Sequence, residues 1–322
     1  MKVTKLVTVT NQSRLSGVFE FYWQEHLAEH LAAARPDLIV TEANPRFSDM
    51  RRLVGFARRH GCPVLGWGLG TTNFFGHGFT RLRHWRRRAM IGRFDGMLCY
   101  SELAAKQYQQ IGVAAENLHV LYNSCVGRPE VAPAIDERNN AVPTIITIGR
   151  LLENKRFDVL IRAAAELKRS GIPVRVQIVG DGSDRERLER IARSSGADVY
   201  FPGELRGEEL AAIGREADLF ALPSLGGLAI QEAMSFGLPI ITGAADGTEL
   251  DLVKNNGWLL PACSPQVLAD TIRQAVSDPE ELRKRGHESF RIVSEDINLE
   301  RMVDRFVAAA NLYSVRRRAF AA

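Results

Sequence analysis

Arg150 and Lys155 stand behind Gly149 at the point where a β-branched run gives way to a helical pattern. In an open α/β sheet, ligands bind just beyond the carboxyl ends of the strands, so both cations would face a crevice. Two cations beside the free N–H groups of a helix start suit a diphosphate. A solvated basic turn is the plainer alternative for this segment taken alone. The second candidate runs from a strand end, Pro223-Ser224, through Gly226, Gly227 and Leu228 into a helix carrying Glu232. Its glycines admit a ligand close to the backbone, and its opening amides attract anions. Glu232 has the chemistry to accept two hydroxyl hydrogen bonds from a ribose, although a glutamate near a helix start is also favoured by the macrodipole alone. A third strand-turn-helix, Val179 to Arg185 with Gly180 and Gly182, is similar to a dinucleotide fingerprint, but Arg185 occupies the place of the third glycine. A turn bordering the same crevice is the preferred reading.

The elements that position these residues follow from length and pattern. The chain has 322 residues, 45% apolar and 25% charged, which places it among ordinary globular proteins and predicts two domains. A β-branched strand is expected at 3–10, a helix from Phe19 to Ala34, then strands at 37–41, 63–66, 96–100 and 118–121 with helices at 47–60 and 102–111 between them. Residues 127–143, with three prolines and no sustained periodicity, read as an interdomain linker. A second alternation runs from strand 144–148 to strand 239–242. Ser101, Ser264 and Asp278 are expected helix N-caps, the last two followed by proline at the first helical position, and Ser183 with Glu186 reads as a capping box. Strand alternating with helix implies parallel sheets covered on both faces. The expected division is an N-terminal α/β domain over 1–130, a C-terminal one over 140–297, and a helix over 298–322 returning to the first.

Charge is placed unevenly. Of 42 basic residues 35 are arginine, and ten of these fall between Asp49 and Asp95, a stretch without a single acid. Within it, Phe79 to Ile91 interleaves apolar residues and Trp85 with arginines, a cationic amphipathic segment. Such a surface attracts anionic headgroups at ~1 kcal/mol per basic residue near a membrane. A merely solvated helix face is the alternative, and no nucleic-acid-binding motif accompanies the charge. The four cysteines, at 62, 99, 125 and 263, form no C-x-x-C pair, which argues against zinc and disulfide scaffolds and fits a reducing compartment. The amino terminus turns polar within ten residues, too soon for a signal peptide, and no apolar run approaches the ~18 residues of a membrane span.

Taken in order, G-R-L-L-E-N-K-R-F-D-V-L-I, V-G-D-G, F-P-G, A-D-L-F-A-L-P-S, G-L-A-I-Q-E-A-M-S-F-G-L-P-I-I-T and D-G-T-E-L-D-L-V-K-N-N-G-W-L-L over 144–260 resemble the C-terminal half of the family 4 glycosyltransferases. P-D-L-I-V, the strand before Trp67, Y-S-E-L at 100–103 and V-L-Y-N at 120–123 extend the likeness more faintly. The resemblance implies the GT-B fold, two doubly wound Rossmann-like domains facing a cleft. It also implies that Arg150 and Lys155 grip the diphosphate of a nucleotide-sugar donor, that Glu232 binds its ribose, and that Gly149, Gly180, Gly182, Ser224, Gly226, Gly227 and Leu228 line the donor site. Ser224 stands where the family's E-x7-E arrangement has its first glutamate, and Leu69 where a histidine is common, with His77 the nearest substitute. The N-terminal half is expected to be short, since Asp37 leaves room before it for one strand and one helix.

The expected activity is retaining glycosyl transfer to a surface-glycan or polyprenyl-linked acceptor. His77, Arg81, Trp85 and Arg86 are placed on the acceptor side. No D-x-D triplet occurs, so transfer without a metal or organic cofactor is expected. The expected location is the cytoplasm, at the inner face of the cell membrane. A degenerate relative that binds nucleotide or a partner protein without turnover is the alternative. A nicotinamide oxidoreductase, resting on the incomplete glycine pattern alone, is a third.

Overall fold

The computed structural model describes residues 11–16, 19–70, 80–224, 226–243 and 247–321. The chain forms two compact units, Met1–Asn123 with Met302–Ala322, and Ser124–Arg301. The strand expected at 3–10 lies outside the described residues.

The first unit opens with an antiparallel hairpin, β1 (Asn11–Ser16) and β2 (Phe19–Gln24), in register from Asn11 opposite Gln24 to Ser16 opposite Phe19. The expected helix therefore begins only at α1 (Leu27–Ala34). Phe19, Phe21 and Trp23 alternate with period two, and aromatic residues favour a pleated strand over a helix. There follow β3 (Ile39–Glu42), α2 (Met50–Arg59), β4 (Val64–Gly68), α3 (Thr80–Ile91), β5 (Gly96–Cys99), α4 (Glu102–Gln110) and β6 (Leu118–Val120). The strands form one parallel sheet in the order β3-β4-β5-β6.

Because the strands advance in one direction, right-handed crossovers put α2, α3 and α4 on one face. Val64, Met97 and Cys99 pack there with Leu53, Phe56, Ile91 and Tyr108. Alternation turns Leu65 and Leu98 to the other face, where they meet Ala309 and Tyr313 of the long terminal helix, α12 (Leu299–Ala321). That helix supplies the cover that the local connections cannot. Tyr313 also hydrogen-bonds His119, and its hydroxyl donates to Asn117.

The second unit is a six-stranded parallel sheet, β12-β11-β10-β7-β8-β9. In chain order it comprises β7 (Thr144–Ile148), α5 (Phe157–Arg169), β8 (Arg175–Val179), α6 (Arg185–Ser195), β9 (Asp198–Gly203), α7 (Gly207–Glu216), β10 (Leu219–Leu222), α8 (Gly227–Ser235), β11 (Ile240–Gly243), α9 (Glu249–Leu252), β12 (Gly257–Leu260), α10 (Pro265–Val276) and α11 (Pro279–Glu295). Ile145, Val176, Phe220 and Ile240 are wholly buried at its centre, as near-continuous apolar strands covered on both faces require. The sheet is wound outward from β7 in one direction and from β10 in the other.

Local signals at the helix starts divide. Ser101, Ser264 and Asp278 each accept a hydrogen bond from the amide three residues on, as expected. The Ser183–Glu186 capping box does not form. Asp184 takes the N-cap place with its carboxylate held by Arg187 at 2.6 and 2.8 Å, so α6 starts one residue later.

Residues 127–143 are no free linker but belong to the second unit. Ile135 is buried against Gly237, and Arg138 donates to the carbonyls of Arg215, Gly237 and Phe236. Those carbonyls end α7 and α8 and have no partner further along their own helices. Burial pulls the Arg138 guanidinium down to about 10. Replacing Arg138 by alanine strands three helix-end acceptors and should cost the second unit about 2–3 kcal/mol. Urea denaturation followed by circular dichroism measures it, and an unchanged midpoint would show that the strap contributes nothing.

Candidate functional site

β7 and β10 are neighbours, yet the chain leaves them toward opposite edges of the sheet. A crevice opens where strand order reverses in this way, at the strands' carboxyl ends. Gly149 and Arg150 follow β7 there, and Pro223 and Ser224 follow β10.

Hydrogen bonds stitch the loops at this edge together. Gly149 N donates to Val179 O at 3.0 Å, Leu151 N to Asp181 O at 2.9 Å, and Asp184 N back to Leu151 O at 2.9 Å. The approach of these two loops requires glycine at 180, where φ is +137° and a Cβ would lie 2.0 Å from the Gly149 carbonyl oxygen. Gly182 lies in the same turn, its amide donating to the Asp181 carboxylate. Ser224 Oγ donates to Asn154 O at 2.7 Å and so ties the loop after β10 to the turn that carries Lys155.

Beyond Ser224, Gly226 occupies the N-cap of α8, and no side-chain hydrogen bond from that residue type is available to satisfy the opening amides. Leu228 is 42% exposed in the first turn. A Cβ at Gly227 would meet Thr248 Oγ1 at 2.7 Å, so glycine lets the next loop pack against the helix start. That loop is held by Glu249, a carboxylate only 4% exposed that accepts from Gly247 N through both oxygens, at 3.0 and 3.2 Å.

The charges are distributed as an anion site needs. Arg150 is exposed, and its guanidinium makes no ion pair or hydrogen bond among the described residues. Lys155 is half-buried at the end of a 3-10 turn whose amide bond to Leu152 O closes it. Glu232, half-buried in α8, has its carboxyl pushed up by burial. Cys125 lies in its field, for the thiol is raised first by burial and then by the Glu232 charge. The structure thus brings Gly149, Arg150, Lys155, Gly180, Gly182, Ser224, Gly226, Gly227 and Leu228 to one sheet edge, with Glu232 further along α8. The sequence did not single out Cys125 or Glu249. For Glu249 the available signal was the D-G-T-E-L segment, and for Cys125 there was none.

Of the residues placed on the acceptor side, Trp85 and Arg86 lie in the middle of α3, past the carboxyl edge of the first sheet. His77 lies outside the described residues, and Arg81 opens α3. Trp85 and Arg86 are exposed, and Trp85 lines a cleft with residues that precede β5 and β6, at the sheet's amino edge. Helix α3 runs back against the strands, which carries its later residues away from their carboxyl ends. Those ends carry Glu42, Tyr100, Glu102 and Tyr122 instead. The Tyr122 hydroxyl donates to Glu102 at 3.0 Å, and the Tyr100 hydroxyl is raised first by burial and then by the Glu42 charge. Y-S-E-L and V-L-Y-N pointed to Tyr100, Glu102 and Tyr122 in the sequence, and nothing pointed to Glu42.

The family "Glycosyl transferases group 1" matches residues 131–291, half of the chain. The putative colanic acid biosynthesis glycosyltransferase WcaL of Escherichia coli strain K12 is 30% identical over 200 residues, covering 57% of this chain and 48% of that protein. A GDP-mannose-dependent alpha-(1-6)-phosphatidylinositol monomannoside mannosyltransferase of Mycolicibacterium smegmatis is 31% identical over 150 residues, covering 42% of this chain and 39% of that one. The chain spans about half or less of the length of these curated relatives. Among solved structures, the apo lipopolysaccharide outer core galactosyltransferase WaaB superposes with a TM-score of 0.65 at 19% identity, covering 88% of this chain and 77% of that one. The fold is therefore of the GT-B type. With the match over 131–291 spanning the loops after β7, β8 and β10, the chain belongs to the group 1 glycosyl transferases.

Proposed function

We propose that this protein is a retaining glycosyltransferase that moves a sugar from a nucleotide-diphosphate donor to a surface-glycan or polyprenyl-linked acceptor. The observation that carries the reading is the reversal of strand order between β7 and β10, with the unpaired Arg150, the Lys155 turn and the start of α8 all at that edge. Arg150 and Lys155 hold the diphosphate, Glu232 accepts the ribose hydroxyls, and the glycines admit the ligand to the backbone.

As the sugar–phosphate bond breaks, negative charge grows on the leaving diphosphate. The two cations and the α8 amides oppose that charge more strongly in the transition state than in the ground state, which is where binding accelerates reaction. The acceptor oxygen attacks from the face the diphosphate vacates, and its proton passes to the leaving phosphate. These counter-charges come from the chain itself, so the proposal includes no metal or organic cofactor. The proposed location is the cytoplasmic side of a membrane that supplies the acceptor. No helix among the described residues is long and apolar enough to cross a membrane.

Ser224 favours a second reading, a relative that binds nucleotide without turnover, because its hydroxyl is committed to Asn154 O where the family has a glutamate. Release of nucleotide from a panel of UDP- and GDP-sugars, with a polyprenyl-linked glycan present, decides between them.

Arg150→Ala and Lys155→Ala should each weaken binding of the matching nucleoside diphosphate at least tenfold, by roughly 1.5–3 kcal/mol per charged hydrogen bond lost. Calorimetry with unchanged affinity in both would remove the assignment. Glu232 must be ionised to accept from the ribose, and burial raises its pKa, so affinity should fall toward acid with a midpoint above the usual ~4.3 of a glutamate. Glu232→Gln should lack that limb, and coincident pH profiles for parent and variant would refute the role. The same shift means that ionised Glu232 costs the unliganded fold stability above the ordinary carboxylate range. Glu232→Gln should therefore raise the thermal midpoint at neutral pH and lose that gain as pH falls through the usual glutamate range.

A further inference from the structure

Helix α3 and the turns before β5 and β6 enclose a cleft of about 710 Å³ in the first unit, at the amino edge of its sheet. That volume is of the size that holds a small ligand. Its walls include Trp85, Arg88, Phe94, Asp95, Ile111 and Asn117. The indole of Trp85 is 66% exposed. The Arg88 guanidinium lies along the turn after α4, where a Cβ at Gly112 would meet Nη2 at 3.4 Å. Asp95 is already used, its carboxylate accepting from Val64 N at 2.8 Å, and Asn117 accepts from the Tyr313 hydroxyl.

Basic residues outnumber acids around this cleft, where Asp95 is the acid in the wall. Arg86, Arg88 and Arg93 make no ion pair or side-chain hydrogen bond among the described residues. The contrast is with the second unit, where Arg185, Arg187, Arg273 and Arg291 each pair with an acid three or four residues away. Local pairing of that kind is not open to α3, because no acid occurs between Asp49 and Asp95. Like charges at helical spacing cost a helix about 0.2–0.5 kcal/mol per pair, a cost that a bound anion would relieve.

We propose that this cleft is a second glycan site, separate from the donor crevice, that seats an acidic saccharide. A pyranose ring presents positively polarised C–H groups to the negative face of the Trp85 indole. A carboxylate on that or the next ring meets Arg88, with Arg86 and Arg93 supplying the surrounding field. The concave setting of Trp85, with Arg88, Asp95 and Asn117 in the walls, favours a saccharide over a bilayer, whose interfacial aromatics stand on an open face. The site stands independently of the donor crevice, since it shares no residue with it.

Tetragalacturonate is the acidic probe, maltotetraose the neutral control and phosphatidylglycerol vesicles the membrane control. The full chain should bind tetragalacturonate saturably by calorimetry and with a change in tryptophan fluorescence, weakening as salt rises, and should not bind maltotetraose. Arg88→Glu should lower the affinity roughly tenfold or more by reversing a charge at the carboxylate. Trp85→Phe should abolish the fluorescence change, and Trp85→Ala should weaken binding several-fold. Both residues are exposed, so the variants retain the fold, and their affinity for the donor nucleotide serves as the internal reference. No saturable binding of tetragalacturonate, or binding untouched by both variants, overturns the proposal. So does sensitivity of vesicle binding alone to these variants, which would make the face a membrane surface. Loss of nucleotide binding through Arg150→Ala leaves the second site unaffected, so the two proposals fail separately.

Discussion

The second unit depends on parallel pairing of β7 with β8 on one side and β10 on the other. That arrangement points three strand ends the same way and obliges the chain to depart from β7 and β10 in opposite directions. The crevice is a consequence of this topology and needs no special residue to create it. What residues do is keep the loops close. The glycine at 180 lets two backbones meet, and Ser224 bonds Asn154 across the gap between strands. In this chain the Ser224 hydroxyl fastens the loops and acts as a structural tie.

The first unit solves a different problem. Four strands advancing in one direction leave one sheet face without helices of its own, and an apolar face of that kind cannot remain in water. Leu65 and Leu98 are buried because α12, some two hundred residues downstream, lies over them. The terminal helix is therefore part of the first unit's core. Its Tyr313, locked to His119 and Asn117, sets its register on the sheet.

Electrostatics separates the two units further. In the second, arginines are spent on local pairs with acids a turn away, which fix helix surfaces and contribute little individually. Around α3, Arg86, Arg88 and Arg93 make no ion pair among the described residues. A surface of that kind is a standing field, able to steer and hold anions. The difference arises from the placement of acids, for the net charge of the whole chain is only +4.

Much of this was legible in the residues themselves. Strand and helix alternation follows from hydrophobic period, and Ser101, Ser264 and Asp278 cap where their local hydrogen bonds dictate, because these are short-range effects. Arg150, Lys155 and the glycines after the strands could be placed at one edge because parallel topology carries every strand end there. Interactions across sequence distance were not legible. Asp184 displaced Ser183 as a cap once Arg187 engaged it, and Phe19–Gln24 became a strand because a partner strand was present to pair with it. The segment 127–143 has linker composition, yet Arg138 found three helix-end carbonyls that only the folded unit presents together. The place of Trp85 at the amino edge was settled by the direction of α3 in the sheet. Sequence determined which residues were able to do chemistry, and tertiary structure decided which of them share a site, because proximity between distant residues is a property of the closed topology and not of any local segment.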